Sequence, residues 1–537
     1  MTTEAIDTLK TGYTFDGATL ELGVALNGET PVPDVPISIP LSMLNRHGLV
    51  AGATGTGKTV TLQVLAEQLS RAGVPVFASD IKGDLSGIGA PGVASEKLTK
   101  RLEAAGQQWD PKANPTEFYT LGDSGLGTPI RATVTSFGPI LLSKVLELND
   151  TQESVLSLVF HYADKAGLAL LDLSDLQAVL TYLTSAEGKA ELEGIGGASK
   201  ATVGVILRKI AELSAQGGDV FFGEPEFDTA DLLRVDASGA GIVSVLELQK
   251  LSQSPALFST FLMWLLADLF QDLPEVGDAD KPALVFFFDE AHLLFADASK
   301  AFLESVTQTV RLIRSKGVGV FFVTQTPKDV PEDVLAQLGS RIQHQLRAHT
   351  PNDAKALKAT VQTFPKSGYD LEELLTSLGI GEAIVTVMDP DGAPTPVAPT
   401  RMRAPESKIG PMSEDEVRAA VAASPQQKKY GTAIDNESAR EILTTRLEAG
   451  AAEKDAEAKA GGPQQSDSAN SGSAETGSRG AEKVPFPSDP APTRTKQAPK
   501  EDNLFSQVVN SSAFKQFTRT AAREIARGIF GTSRRRR

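Results

Sequence analysis

The sequence predicts an α/β fold with a mainly parallel sheet, and three observations indicate it. Short apolar runs that are typical of buried strands recur along residues 48–388, among them GLVAGA, VPVFASD and ALVFFFDE. Stretches with apolar residues every three or four positions separate these runs, which is the pattern of helices packed on a sheet. From Gly48 a strand, a helix over residues 58–72 and a second strand follow in order, so the fold begins with a βαβ unit.

The pattern also predicts how the chain is divided. A short strand-rich lead-in, with the proline-rich stretch PVPDVPISIP, occupies residues 1–40, and the sheet domain occupies residues 41–138 and 236–400. Between these two parts the apolar period becomes helical, which predicts an α-helical insertion over residues 139–235. Further strands of the sheet are predicted at residues 117–121, 130–135, 241–246, 283–289, 318–324, 341–347 and 383–388.

Beyond residue 400 the composition changes. We interpret residues 401–502 as a linker that is largely disordered from residue 451, because that part is rich in Ala, Gly, Ser, Pro, Gln and charge. Residues 503–537 regain a helical period, with apolar and basic positions at separate three- and four-residue steps and four arginines at the end. This predicts a basic amphipathic helix that contacts an anionic membrane or nucleic acid, or packs back on the rest of the chain.

Composition excludes several function classes. At 537 residues, with 41% hydrophobic and 22% charged residues, the chain has the make-up of a multi-domain globular protein. It has no cysteine, which excludes disulfides, thiolate metal sites and cysteine nucleophiles. We expect a cytoplasmic protein, because the segment MTTEAIDTLK lacks the apolar core of a secretory signal and the longest apolar stretch, residues 256–270, is too short to span a bilayer. The net charge of −16 argues against a surface that coats nucleic acid, but not against a local basic channel.

The sequence GATGTGKT, residues 52–59, matches the P-loop pattern and stands between a predicted strand and a predicted helix. Glycines allow backbone N–H groups to point at phosphate oxygens, and the start of the helix favours an anion. Lys58 supplies a positive charge for the outer phosphates, and the hydroxyl of Thr59 is a ligand for Mg²⁺. The motif predicts a site for ATP and Mg²⁺. The predicted nucleotide-binding residues are Gly52, Ala53, Thr54, Gly55, Thr56, Gly57, Lys58, Thr59 and Val60.

Two carboxylates, Asp289 and Glu290, end the buried strand ALVFFFDE. Far downstream of a P-loop, this arrangement predicts that Asp289 holds the magnesium shell and that Glu290 polarises the attacking water. His292 completes the string Asp-Glu-Ala-His of the DEAH helicases. A DEAH helicase would need a second domain with an arginine-rich motif, which is not evident in the sequence. We interpret His292 as the start of the next helix, with sensing of nucleotide or substrate as the alternative.

Three further segments are candidates for the site. Gln325 follows the buried strand GVGVFFVT and is predicted to contact phosphate or water. Arg341, which opens the strand RIQHQL, is the first candidate for an arginine that completes the site of a neighbouring subunit, ahead of Arg311, Arg314 and Arg347. Residues 79–87, SDIKGDLSG, lie beside the nucleotide or face a substrate, and the pattern does not decide between these roles.

Together these residues resemble the FtsK/HerA superfamily of RecA-like motors, and most closely the bacterial HerA-like helicase C-terminal family, whose members are called YjgR-like. The segments that carry the resemblance span roughly residues 40–400; they are NRHGLVAGATGTGKTVTLQVLAEQLS, ASDIKGDLSG, FFFDEAHLLF, IRSKGVGVFFVTQTP and SRIQHQLRAHTPNDAKALKA. The resemblance implies a RecA-like ATPase that assembles as a homo-oligomeric ring, a hexamer, and acts on double-stranded DNA. It identifies Lys58 and Thr59 as the Walker A pair, Asp289 and Glu290 as the Walker B pair, and Gln325 as the glutamine after the sensor strand.

Archaeal HerA-type motors carry an N-terminal β-barrel that docks a nuclease, whereas only a short segment precedes the P-loop here, so we do not expect a nuclease partner.

Two alternatives to a DNA motor stay open at this point. One alternative is a nucleotide-dependent binding protein or scaffold that its basic tail tethers to a membrane or another macromolecule. The other is a DEAH-type helicase that separates strands as a monomer.

Overall fold

The computed structural model describes residues 3–122, 125–249, 255–277, 279–295 and 300–460. Within these ranges twelve strands form a single sheet. The strands are β1 (Thr19–Asn27), β2 (Thr30–Pro40), β3 (Gly48–Ala51), β4 (Val76–Asp80), β5 (Thr116–Leu121), β6 (Thr128–Ile130), β7 (Val243–Glu247), β8 (Leu284–Phe288), β9 (Val318–Thr324), β10 (Ser340–His344), β11 (Glu382–Thr386) and β12 (Ala398–Met402).

The order of the strands across the sheet is β2-β1-β12-β11-β10-β3-β9-β8-β4-β7-β5-β6. All strands from β10 to β6 pair in parallel, and β11, β12, β1 and β2 extend the sheet by antiparallel pairing. The predicted fold class, α/β with a mainly parallel sheet, is confirmed. In this order β9 lies between β3 and β8, so the carboxyl ends of these three strands meet at one edge.

Helices connect the strands and cover the sheet. Those in the described residues are α1 (Thr3–Gly12), α2 (Lys58–Arg71), α3 (Glu96–Ala105), α4 (Val134–Val145), α5 (Asp150–Ala166), α6 (Leu173–Thr184), α7 (Lys189–Gly194), α8 (Lys200–Ala215), α9 (Gly218–Phe221), α10 (Pro255–Asp272), α11 (His292–Phe295), α12 (Lys300–Ile313), α13 (Glu332–Leu335), α14 (Pro351–Val361), α15 (Leu371–Ser377), α16 (Glu414–Ala423), α17 (Pro425–Tyr430) and α18 (Ala439–Ala460).

The consecutive phenylalanines of β8 show why the sheet is buried on both faces. Successive side chains of a strand point to opposite faces, so Phe286 and Phe288 join the core beneath α4–α12, whereas Phe287 joins the core beneath α2. All five residues of β8 are buried. A strand with helices on both sides needs apolar residues at every position, which accounts for the unbroken apolar run in the sequence.

Helices α4 to α9 occupy the region of the predicted insertion and pack on α10. Phe221 of α9 and Trp264 of α10 meet edge to face, with ring centroids 5.9 Å apart. The insertion begins earlier than predicted: β6 ends at Ile130, and the hydroxyl of Thr133 accepts from the N–H of Ser136 and caps α4. The strand prediction for residues 130–135 is therefore wrong over most of its length, because a capping threonine was read as a strand residue.

The lead-in does not form a separate unit. After α1, strands β1 and β2 join the sheet through β12, and β2 is its edge strand. The proline-rich stretch of the sequence is β2 itself. Proline lacks an N–H donor, so it is tolerated on an edge strand, where one side of the backbone has no partner strand.

Residues 401–449 differ from the predicted linker, because they pack against the sheet domain. The buried carboxylate of Glu67 in α2 accepts hydrogen bonds from the N–H groups of Glu406 and Ser407, over 3.0 and 3.1 Å, and from the Ser407 hydroxyl over 2.9 Å. Farther along, Tyr430 is 1% exposed and its hydroxyl donates to Asp231 over 2.6 Å. Short apolar sets also pack on the core, with Val417, Ala420 and Val421 in α16 and Ile442, Leu443 and Leu447 in α18. Each set covers less than two helical turns, which is too short for the apolar period to stand out in the sequence.

Two predictions concern helices and the C-terminal segment. The apolar stretch at residues 256–270 lies in α10, and most of the side chains described there are buried. No helix among the described residues is long and apolar enough to cross a membrane. Helix α18 continues to Ala460, past the predicted start of disorder at residue 451. The rest of the predicted linker and the basic amphipathic helix at residues 503–537 lie outside the described residues.

Candidate active site

The loop between β3 and α2, residues 52–59, forms the floor of the site. Gly57 stands at the amino end of α2 with φ 115°, in the region that favours glycine. The N–H of Gly52 donates to the carbonyl of Thr324 over 3.2 Å, and the N–H of the next residue donates to the carbonyl of Gln345 over 2.8 Å. The loop is thus tied to the carboxyl ends of β9 and β10, and the amino end of α2 is placed to bind an anion.

Lys58 is folded into this loop. Its Nζ donates to the carbonyl oxygens of Gly52, over 2.7 Å, and Ala53, over 3.1 Å, and the residue is buried. Burial, followed by the nearby ammonium of Lys82, lowers the pKa of Lys58 below its usual range. The other predicted residues of the nucleotide loop lie on the same turn and the first turn of α2, namely Thr54, Gly55, Thr56, Gly57, Thr59 and Val60.

Asp289 lies directly after β8 and is 1% exposed. Its Oδ1 accepts from the backbone N–H of Glu290 over 2.9 Å, and its Oδ2 has no hydrogen-bond partner among the described residues. Burial raises the pKa of Asp289 to about 7. A buried carboxylate oxygen without a hydrogen-bond donor costs folding free energy unless a proton or a cation compensates its charge. Oδ2 of Asp289 is therefore suited to act as a ligand of a metal ion.

A second carboxylate, Asp84, approaches the same place from the loop after β4. The nearby hydroxyl of Thr59 acts to lower the pKa of Asp84. Burial raises the pKa of Asp84, and its charge also contributes to the raised pKa of Asp289. The two predicted magnesium ligands, Thr59 and Asp289, therefore both lie close to Asp84, since Thr59 affects its pKa and the pKa of Asp289 is affected by it.

Glu290 has φ 47°, which is uncommon for a residue other than glycine and typical of backbone held in place at a functional site. Its carboxylate forms an ion pair with the ammonium of Lys82, accepts from Nε2 of Gln325 over 3.4 Å and lies 3.0 Å from Nδ1 of His292. Burial alone would raise the pKa of Glu290, but Lys82, Gln325 and His292 outweigh it and lower the pKa. Glu290 is therefore held as an ionised carboxylate.

Gln325 and Arg341 differ in where they lie. Gln325 follows β9, next to β8, and reaches Glu290 as described above. Arg341 stands near the amino end of β10, opposite Leu49, and its guanidinium donates to the hydroxyl of Thr363. Within one chain the structure does not bring Arg341 to the P-loop. Arg347, a lower-ranked candidate, does reach it and donates to the carbonyl of Thr54 over 3.3 Å.

Sequence reasoning missed His344, a residue of β10 that contacts α2 behind the P-loop. Its Nε2 lies 3.0 Å from the hydroxyl of Thr61 in α2, and its Nδ1 lies 2.8 Å from the carbonyl of Glu382. A side chain at Gly52 would place its Cβ 2.5 Å from Cβ of His344, so the close approach of β10 requires glycine at position 52. A lone histidine inside a strand carries no motif, and only the order of the strands shows that β10 flanks β3.

The residues 79–87, whose role the sequence left open, lie at the site through Lys82 and Asp84. The sequence does indicate this location, because residues 79–87 come at the end of a buried strand, as Asp289 and Gln325 do. The structure adds that this strand, β4, pairs with β8. His292 begins α11, as interpreted from the sequence, but its ring also lies against Glu290.

A glycine loop between a central parallel strand and a helix, with a buried aspartate and glutamate at the end of a nearby strand, defines the P-loop NTPase class. Comparison with known families agrees: the model of the family described as helicase HerA-like C-terminal matches residues 27–537. The chain belongs to the helicase HerA-like C-terminal family. The resemblance inferred from the sequence is confirmed.

Relatives and solved structures that match are distant. The DNA double-strand break repair helicase HerA of Sulfolobus acidocaldarius is 23% identical over 358 residues, covering 66% of this chain and 64% of its own length. The helicase HerA of Sulfurisphaera tokodaii is 24% identical over 377 residues, covering 69% and 67%. The chain thus spans about two thirds of the length of these relatives. The bacterial conjugative coupling protein TrwB is 16% identical, with a TM-score of 0.48 over 76% of this chain and 95% of its own.

The environment of His344 predicts a pH dependence of stability. Burial lowers the pKa of His344 to about 4, below the ordinary value of about 6.5, so between these values the unfolded chain holds more protons than the folded chain. Stability from this group is present above pH 6.5 and is lost as the pH falls toward 4. We expect it to account for about 2 kcal/mol of the free energy of unfolding lost between pH 7.5 and pH 5.0.

Urea unfolding at both pH values measures this loss. His344→Gln removes the titrating ring, so the difference between pH 7.5 and pH 5.0 should shrink, whereas His161→Gln, at an exposed position of α5, should leave it unchanged. An undiminished difference in His344→Gln would contradict the neutral, buried state of this histidine.

Proposed function

We propose that this chain binds ATP with Mg²⁺ and hydrolyses it. The observation that carries the proposal is the meeting of Lys58, Thr59, Asp289 and Glu290 at one edge of the sheet, with the ammonium of Lys82 on Glu290. Two features suit the nucleotide and the metal. The turn at Gly57 leaves the amino end of α2 open to an anion, and Oδ2 of Asp289 is buried without a hydrogen-bond donor among the described residues.

Each residue has a distinct role in the proposed reaction. Lys58 and the N–H groups of the loop hold the phosphates, while Thr59 and Asp289 hold Mg²⁺, which would neutralise phosphate charge. Glu290, kept ionised by its neighbours, accepts a proton from the attacking water, and Gln325 orients that water or contacts the phosphate. TrwB has been solved in complex with ADP and Mg²⁺.

We further propose that the ATPase is a hexameric ring of identical chains that moves on double-stranded DNA. Membership of the helicase HerA-like C-terminal family supports this, as do relatives named as DNA double-strand break repair helicases. Arg341 would complete the site of the neighbouring chain, since it lies away from the P-loop of its own. A nuclease partner is not part of the proposal.

The rate of ATP hydrolysis, measured without a partner, with duplex DNA and with anionic vesicles, tests this function. We expect duplex DNA to raise the rate in a manner that grows with DNA length and falls with salt, because contacts to phosphates release counterions. Stimulation by vesicles alone would favour the scaffold tethered by residues 503–537. Stimulation by single-stranded tails in a monomer would favour the strand-separating helicase.

Glu290→Gln should bind ATP but hydrolyse it at least about a hundredfold more slowly, because the amide keeps the shape of the side chain and cannot accept a proton. Nucleotide affinity by calorimetry and the rate of phosphate release measure the two effects. Glu304→Gln, at a glutamate on the exposed part of α12, is the matched control and should hydrolyse ATP at the wild-type rate. Normal turnover in Glu290→Gln would mean that another residue activates the water.

Arg341→Ala should lose activity as Glu290→Gln does, but for a reason that mixing reveals. In a mixed ring some sites receive Glu290 from one chain and Arg341 from the other, so two inactive variants should partly restore hydrolysis. Arg347→Ala, which removes a contact to the P-loop within the chain, is the control and should not be rescued in this way. If confirmed mixing restores nothing, Arg341 does not act across the interface.

A further inference from the structure

The turn after β4, residues 80–85, is built to present two side chains to the P-loop. The buried carboxylate of Asp80 accepts from the N–H of Gly83 over 2.6 Å and from the N–H of Leu85 over 2.8 Å. Gly83 has φ 77°, and a Cβ there would lie 1.4 Å from Nε2 of Gln249. The carboxylate of Asp80 therefore holds the backbone of this turn, and the positive φ at Gly83 favours glycine there.

The two side chains reach different parts of the site. Asp84 lies near the hydroxyl of Thr59, which is the predicted magnesium ligand of the P-loop and acts to lower the pKa of Asp84. Lys82 forms the ion pair with Glu290, at the end where the attacking water is expected. The side chain of Lys82 is 40% exposed and that of Glu290 is 5% exposed, so the lysine stands between the carboxylate and the solvent.

Lys82 and Lys58 face the same space, since the charge of Lys82 contributes to the lowered pKa of Lys58. Their partners differ. Lys58 donates to carbonyl oxygens of the loop, whereas Lys82 pairs with a carboxylate that needs to be free to accept a proton during hydrolysis. An anion beside Glu290 would compete for the Lys82 ammonium and would be attracted by it.

We propose that Lys82 is a second phosphate-binding lysine that recognises the terminal phosphate of a nucleoside triphosphate and shares its ammonium between that phosphate and Glu290. The proposal rests on the proposed ATPase activity, in which Glu290 faces the phosphate that is transferred to water. A group that touches Glu290 from the solvent side then lies beside the same phosphate. A nucleoside diphosphate lacks this phosphate, so Lys82 discriminates triphosphate from diphosphate.

Calorimetric titration with ADP and with a non-hydrolysable ATP analogue, both with Mg²⁺, tests this role. Lys82→Met should weaken binding of the analogue about tenfold or more and binding of ADP less than about twofold, because only the terminal phosphate loses a charged partner. Lys82→Arg keeps the charge and should restore most of the preference. Lys281→Met is the matched control: Lys281 donates to the carbonyls of Ala72 and Gly73 at the other end of α2, and its loss should change neither affinity.

A double variant separates phosphate contact from simple neutralisation of Glu290. If Lys82 contacts the phosphate, Lys82→Met should weaken binding of the analogue in a Glu290→Gln background as well. If Lys82 only offsets the charge of Glu290, the effect should vanish there, and the proposal is wrong. Equal losses for ADP and the analogue, or no loss for either, would overturn it too.

Two further measurements control for folding and for ATP hydrolysis. Thermal melting shows whether Lys82→Met is folded. If it is not, Lys82→Gln, which removes the charge and keeps a long polar side chain, takes its place: a lost preference for the analogue over ADP supports the proposal, and an unchanged preference, as a purely structural lysine predicts, overturns it. Hydrolysis by the wild type is measured separately. A wild type that binds both nucleotides without hydrolysing ATP would contradict the proposed function while leaving the role of Lys82 to be read from the affinities.

Discussion

The parallel register of β3, β9, β8 and β4 is the constraint on which the site depends. Ala51 pairs with Thr324, Phe288 pairs with Phe322, and Ser79 pairs with Phe288, so the four strands end within a residue or two of one another. Lys58, Lys82, Asp84, Asp289, Glu290 and Gln325 each follow one of these ends. A shift of register by one residue would turn each strand's side chains to the opposite face and separate the groups that now touch.

Charge and burial act together at this edge. Burial raises the pKa of Asp289 to about 7 and that of Glu247, on the neighbouring β7, to about 8, and Asp80 adds to the effect at Glu247. Glu290 differs because Lys82 compensates it, and its pKa is lowered. The surroundings thus raise the pKa of one carboxylate, Asp289, and lower the pKa of its neighbour, Glu290. Such a difference suits a site with both a cation ligand and a proton acceptor.

Much of this arrangement could be predicted from the sequence, and the reasons are local. The P-loop and the pair Asp289 and Glu290 stand directly after unbroken apolar runs, so strand, turn and polar end are readable together. The contact between Lys82 and Glu290 joins residues far apart in the chain and depends on β4 lying beside β8, which no local pattern encodes. His344 was missed for the same reason. Strand β2 was predicted only as part of a strand-rich lead-in, because prolines are rare within strands. Its position at an edge of the sheet tolerates them.

The hydrogen bonds from residues 406–407 to Glu67 set the boundary of the ATPase domain. A chain cut directly after β12, at residue 402, would remove three donors from a carboxylate buried in the helix that follows the P-loop. It would also remove the glutamate that Arg71 meets over 2.7 Å. The smallest autonomous unit therefore extends past the last strand to include residues 406–407, and a deletion designed on the sheet alone would destabilise α2 without removing any residue of the P-loop.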